Sequence, residues 1–99
     1  MPRNATLEQW QAPVPQISSF HGITIYMYWR DHAPPHFHAQ HSEHWAKITI
    51  EQGNVLGGSL PPRELRLVEE WRSAHVDELR ENWERVQKPE APNPVEPLP

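Results

Sequence analysis

The apolar residues of this chain change their spacing once, at the pair Pro61-Pro62, and that change narrows the folds open to the sequence. Before the pair, apolar and polar residues alternate, most regularly in Ile23–Trp29, as they do in a strand with one buried face. After the pair, apolar residues recur every three or four positions, as they do in an amphipathic helix. The sequence therefore predicts an α+β domain in which strands precede helices.

Three or four strands are expected in the first part of the chain. They lie at Ile23–Trp29, His36–Gln40, Trp45–Glu51 and Val55–Ser59, with Ile17–Phe20 as a further short candidate. Consecutive strands with short connections favour a small antiparallel meander.

Two C-terminal helices are expected after Pro61, at Pro62–Ala74 and Val76–Gln87. The two are separate because Ser73-Ala74-His75 followed by Asp77-Glu78 is typical of one helix ending and another beginning. We expect both helices to pack on one face of the sheet, with Trp71 and Trp83 as core residues.

The twelve prolines are concentrated at the two ends of the 99-residue chain, whose length suits a single domain. We therefore expect a flexible N-terminal arm over residues 1–16, one domain over residues 17–87 and a disordered Pro-rich tail over residues 88–99. A formal net charge of −4 argues against a nucleic-acid-binding protein with a generally basic surface, although a local basic spot stays open.

The chain has no cysteine, which excludes disulfides and thiolate metal sites. No apolar run reaches the length of a membrane span, and no signal peptide is visible at the N-terminus. We expect a cytoplasmic protein with no membrane partner, and the oligomeric state stays open.

Five of the seven histidines lie between His32 and His44, around the pair Pro34-Pro35. Pro35 keeps Pro34 out of the helical region, so the chain runs extended into the next strand. Alternation in that strand places His36 and His38 together on a more open face, opposite Phe37. The residues just before the proline pair, Asp31 and His32, are placed to fold back toward them.

A second set of residues carries a resemblance to a known family. The strings are Tyr28-Trp29-Arg30-Asp31-His32, Pro34-Pro35-His36-Phe37-His38, Ile48-x-Ile50-x-x-Gly53-x-Val55-x-x-Gly58-x-Leu60-Pro61, Leu65-x-Leu67-Val68-x-x-Trp71 and Glu81-Asn82-Trp83. Their order resembles the bacterial family called domain of unknown function 4160, over roughly residues 15–86. The proline-rich ends and the additional His41 and His44 depart from that pattern.

The resemblance implies a small bacterial cytoplasmic protein of α+β type. Genes of this family commonly lie beside a second small gene, of the domain of unknown function 2442 family. The resemblance therefore implies a toxin-like component of a toxin–antitoxin module, with a small cognate antitoxin-like protein as partner.

One interpretation of the histidine window is acid–base catalysis on RNA, with His36, His38 and His32 as the imidazoles. Imidazole can take a proton from a 2′-hydroxyl or give one to a leaving oxygen. Arg30 is a candidate to neutralise phosphate and Asp31 to orient a histidine. The substrate-binding candidates are Tyr26 and Tyr28, whose rings can stack on bases.

A second interpretation is a metal site formed by His32, His36 and His38. Three histidine nitrogens with an open coordination position are a known catalytic zinc arrangement, so zinc is the expected ion if a cofactor is bound. Asp31 is then a further ligand or a hydrogen-bond acceptor for a ligand. This interpretation predicts a metal-dependent hydrolase or a metal-binding protein.

The remaining interpretation has no chemistry in the histidine window. The polar side chains then only stabilise the turn at Pro34-Pro35. The chain is in that case a protein–protein interaction module that binds its partner through a sheet edge or a helix face.

Overall fold

The computed structural model describes residues 14–99 and contains one five-stranded antiparallel sheet followed by two helices. The strands are ordered in the sheet as they are in the chain: β1 (Gln16–Phe20), β2 (Ile23–Tyr26), β3 (His36–His41), β4 (His44–Thr49) and β5 (Val55–Ser59). The helices are α1 (Pro62–Ala74) and α2 (Val76–Val86). The α+β class and the C-terminal helices are confirmed.

The prediction of three or four strands was too low, because β1 pairs with β2 as a fifth strand. The two strands are joined at His21 and Gly22, whose φ angles are +50° and +77°. Positive φ at both central residues is the type I′ arrangement that suits a tight hairpin. The expected arm over residues 1–16 lies outside the described residues as far as residue 13, and its last residue, Gln16, begins β1.

One face of the sheet forms the core under α1. Phe37 and Ala39 of β3 are fully buried on this face, as their alternation predicted. The indole ring of Trp71 in α1 lies 5.4 Å from the ring of Phe20 and 5.7 Å from the ring of Phe37. Trp71 and Trp83 are both buried, which confirms their prediction as core residues.

The break between the helices is at His75, whose φ of −132° interrupts the helical backbone. The second helix then contacts the end of the sheet where β2 leaves and β3 enters. Its last residue, Val86, accepts a 2.8 Å hydrogen bond from the backbone N–H of Arg30. The ring of Trp83 lies 5.2 Å from the ring of His36. Helix α2 therefore closes the end of the sheet at which the histidine strand begins.

Strand β2 is shorter than the alternating segment Ile23–Trp29, because the chain leaves the sheet after Tyr26. Trp29, which alternation placed with the core residues, is consequently 45 % exposed. Its indole N–H donates a 3.1 Å hydrogen bond to the carbonyl of Glu90.

Residues 88–99 have no helix or strand, yet they lie against the domain, which the prediction of a disordered tail does not account for. Val95 is buried and its N–H donates a hydrogen bond to the carbonyl of Ile17 on the edge strand β1. The indole N–H of Trp71 donates to the carbonyl of Glu96 over 2.9 Å. The side chain of Asn82 both donates to and accepts from the backbone of Asn93.

Replacing Asn82 by alanine tests the packing of the tail. Asn82 is 1 % exposed, and its loss leaves the polar backbone groups of Asn93 without their partner. We expect Asn82→Ala to lower the free energy of unfolding by about 2 kcal/mol, measured by urea denaturation. The exposed Asn54→Ala is the matched control, with an expected change below about 0.5 kcal/mol. Equal, small effects of the two substitutions would show that the tail is not bound to Asn82.

Candidate functional site

The loop between β2 and β3 turns Asp31 toward the histidine strand. Arg30 has a φ of +57°, in the left-handed region, which costs a residue with a side chain about 1 kcal/mol. The end of α2 holds this turn through the Arg30 N–H to Val86 hydrogen bond and a 3.4 Å bond from Gln87 Nε2 to the carbonyl of Asp31. The left-handed backbone at Arg30 therefore positions Asp31.

The carboxylate of Asp31 is the centre of the polar cluster. Its Oδ1 accepts a 2.8 Å hydrogen bond from the backbone N–H of His32. Its Oδ2 lies 2.8 Å from His36 Nε2 and 3.2 Å from His38 Nε2. One carboxylate oxygen is thus shared by two imidazole nitrogens.

His36 has both ring nitrogens directed at oxygen atoms. Its Nδ1 lies 2.7 Å from the carbonyl oxygen of Pro34, which can only accept, so Nδ1 carries a hydrogen. Its Nε2 faces Asp31, and its side chain is 2 % exposed. The bonds to Pro34 and Asp31 together fix the ring orientation.

His38 is held between the same carboxylate and two tyrosine rings. The ring of Tyr26, its cross-strand neighbour, is stacked at 5.2 Å and 12°, and the ring of Tyr28 meets it edge-on at 4.6 Å. Among residues 14–99, no hydrogen bond to His38 Nδ1 is formed. That nitrogen is therefore the ring atom of the histidine pair left for a ligand or solvent.

Burial and hydrogen bonding act on these groups in opposite directions. Burial raises the pKa of Asp31, but hydrogen bonds from His38, from the His32 N–H and from His36 outweigh it, and the pKa lies below its ordinary value. Burial lowers the pKa of His38 more than the bond to Asp31 raises it, so that the net shift is downward. An ionised carboxylate beside a neutral His38 is the favoured state at neutral pH.

The structure brings together three of the five predicted catalytic residues. Asp31, His36 and His38 meet, whereas the side chains of His32 and Arg30 are exposed and make no hydrogen bond within the described part of the chain. The predicted metal set therefore changes, with Asp31 in the place of His32. Positive φ at Arg30 explains the difference, because the turn directs the next residue inward.

The expectation that His36 and His38 lie on a more open face was wrong. Both histidines lie opposite Phe37, as alternation predicted, but they are 2 % and 6 % exposed. Trp83 covers His36, and the two tyrosines cover His38. The alternation in the sequence identifies the face of β3 on which the two histidines lie. It does not show that α2 and the tyrosines cover that part of the face.

A groove extends from this cluster over the part of the sheet face that neither helix covers, which we call the uncovered face. It has a volume of about 380 Å³ and is lined by Tyr26, Tyr28, His38, Gln40, Trp45 and Lys47. Trp45 is 47 % exposed on this face, and Lys47 pairs with His38 across the strands. Alternation with the buried Ala46 and Ile48 was the signal that could have placed both residues here.

Replacing Asp31 by asparagine tests the centre of the cluster. The amide keeps one oxygen but loses the charge and the second acceptor oxygen, so the His32 N–H and the two imidazole nitrogens cannot all keep their present partners. We expect Asp31→Asn to lower the free energy of unfolding by about 2 kcal/mol. Asp77→Asn, on the surface of α2, is the control and should change it by less than about 0.5 kcal/mol. No difference between the variants would refute the shared carboxylate.

No helix among residues 14–99 is long and apolar enough to cross a membrane. No curated protein and no solved structure matches this chain. A family model does match it, over residues 22–84, which include β2 to β5, α1 and all three residues of the Asp31–His36–His38 cluster. Because the match covers more than half of the chain, the protein belongs to the family described as Domain of unknown function (DUF4160).

Proposed function

We propose that Asp31, His36 and His38 bind a divalent transition-metal ion and that the protein acts as a metal-dependent hydrolase. The observation that carries the proposal is that both ring nitrogens of His36 face oxygen atoms that accept hydrogen bonds, those of Pro34 and Asp31. With its proton on Nδ1, toward Pro34, a neutral His36 presents the lone pair of Nε2 to the Asp31 carboxylate at 2.8 Å. Two acceptors at that distance need a cation between them, either a proton or a metal ion.

The geometry of the three side chains suits a metal ion. Their ligand atoms all lie within 4.8 Å of one another. Two ligands bound to one ion at about 2.0–2.2 Å are roughly 3.0–3.4 Å apart, close to the 2.8 Å and 3.2 Å measured from Asp31 Oδ2. One ion can then satisfy Asp31, His36 and His38 together.

The hydrogen bond from His36 Nδ1 to the Pro34 carbonyl adds support. Histidines that bind metals commonly donate the second ring N–H to a carbonyl or carboxylate, which fixes the tautomer. Two imidazoles and one carboxylate also leave coordination positions for water and substrate. An ion bound there would lower the pKa of its water and polarise a phosphoryl oxygen, which is the chemistry of hydrolysis.

Metal-free acid–base catalysis on RNA is the second candidate, and one observation favours it. A proton on His36 Nε2 would also bridge His36 and Asp31, and His36 would then be an imidazolium beside a neutral His38. The two histidines would together provide one acid and one base. Both ring nitrogens of His36 are engaged within the protein, however, which leaves no ring N–H of His36 free for a leaving oxygen.

The proposed setting comes from the family resemblance. We propose a toxin-like role for this chain in a bacterial toxin–antitoxin module, in which a small cognate protein holds it inactive. The setting rests on what the resemblance implies about neighbouring genes, and the proposed metal centre would supply an activity that could harm the cell.

Metal analysis of the purified protein tests the proposed centre. After incubation with zinc and dialysis, the folded protein should hold about one zinc ion per chain, and His36→Ala and His38→Ala should each release it. His44→Ala and His32→Ala are matched controls, since both histidines are exposed, and should retain the metal. Full retention by folded His36→Ala, or no zinc in the unaltered protein, would contradict the proposal.

Expression in bacteria tests the setting. Induction of this chain alone should slow growth, and co-expression of its cognate small protein should restore it. His38→Ala should abolish the effect at equal folded protein, because His38 lies where the cluster meets the groove, whereas His44→Ala should not. A chain that is harmless at high expression would argue against the toxin-like role.

A further inference from the structure

We infer that the uncovered face of the sheet binds unpaired nucleotides of a single nucleic-acid strand, with bases against Tyr28 and Trp45 and a phosphate near Lys47. This inference names the substrate class of the proposed metal centre and rests on that proposal for its chemistry, although the binding itself needs no metal. The sequence alone indicated Tyr26 and Tyr28 as substrate-binding candidates, but not Trp45 or Lys47.

Two aromatic residues of this face leave much of their surface accessible. Tyr28 is 44 % exposed and Trp45 is 47 % exposed. Trp45 lies against β5, where an added Cβ at Gly58 would clash with the Trp45 carbonyl oxygen and lie 2.9 Å from its ring. Gly58 thus makes room for Trp45 on the sheet, and nearly half of the Trp45 side chain is still accessible to a ligand. Flat accessible rings of this kind stack on bases of any sequence.

The charge of the face favours an anionic ligand. The chain has a net charge of −4, yet none of the five strands contains an aspartate or a glutamate. The charged residue of the groove is Lys47, which is partly exposed beside His38. A phosphate at Lys47 would be attracted by the ammonium group and would meet no carboxylate from the strands.

The groove has room for more than one nucleotide and leads to the cluster. A second depression of about 470 Å³ shares Tyr26, Tyr28 and Gln40 with the first and continues past Thr24 toward β1. The side chains of Gln40 and Thr24 offer donors and acceptors for base edges. His38 belongs to both the groove and the Asp31–His36–His38 cluster, so a bound strand passes beside the proposed ion.

The test is binding of fluorescently labelled ten-nucleotide single strands, one of RNA and one of DNA, measured by fluorescence polarisation at low salt with metal-free protein. We expect measurable binding, weakened about tenfold or more by Trp45→Ala and by Tyr28→Ala. Lys47→Ala should weaken binding and reduce its dependence on salt. Tighter binding of the RNA strand would identify RNA as the source of the nucleotides, and tighter binding of the DNA strand would identify DNA.

Two exposed residues away from the groove give matched controls. Trp29→Ala and Lys88→Ala remove the same side-chain types near the end of α2, and strand binding should be unchanged. No binding by the unaltered protein, equal binding of a duplex, or equal loss in the control variants would overturn the inference. Zinc binding without strand binding would defeat this inference alone, whereas strand binding without zinc would defeat the metal centre alone.

Discussion

The shared Oδ2 oxygen of Asp31 is the constraint on which the rest of the site depends. Two imidazole nitrogens, from His36 and His38, approach this one oxygen, and Oδ1 accepts the N–H of His32. Such a concentration of polar groups beneath Trp83 and two tyrosines is costly unless every donor and acceptor is matched by a partner or an ion. The loop, the strand and the end of α2 can each be understood as parts that hold this arrangement.

The fold places the Asp31–His36–His38 cluster and the groove on the same side of the sheet. Helix α1 covers the face that carries Phe37, and α2 closes the end of the sheet where Asp31 and His36 lie. The opposite face is left to Tyr28 and Trp45, with the cluster at one end of the groove. Loops and strand ends supported by a rigid sheet are common places for catalytic and binding residues.

Local patterns in the sequence predicted the fold well and the site in part. The helix break at His75 and the common face of His36 and His38 were both readable from spacing. The inward turn of Asp31 was not fixed by spacing, because it depends on the left-handed backbone at Arg30 and on bonds from α2. Contacts between distant segments, such as that between Asn82 and Asn93, cannot be read from a local pattern, and the proline content alone led us to expect a disordered tail.

The most direct test of a cation held between Asp31 and the two histidines is a long-range ¹H–¹⁵N NMR spectrum of the histidine rings. It should be recorded with metal-free protein and again after addition of one equivalent of zinc. The account predicts that His36 Nδ1 carries a proton in both spectra, while Nε2 of His36 and of His38 change from protonated to metal-bound nitrogen. A His36 ring whose proton is on Nε2 alone, unchanged by zinc, would contradict it.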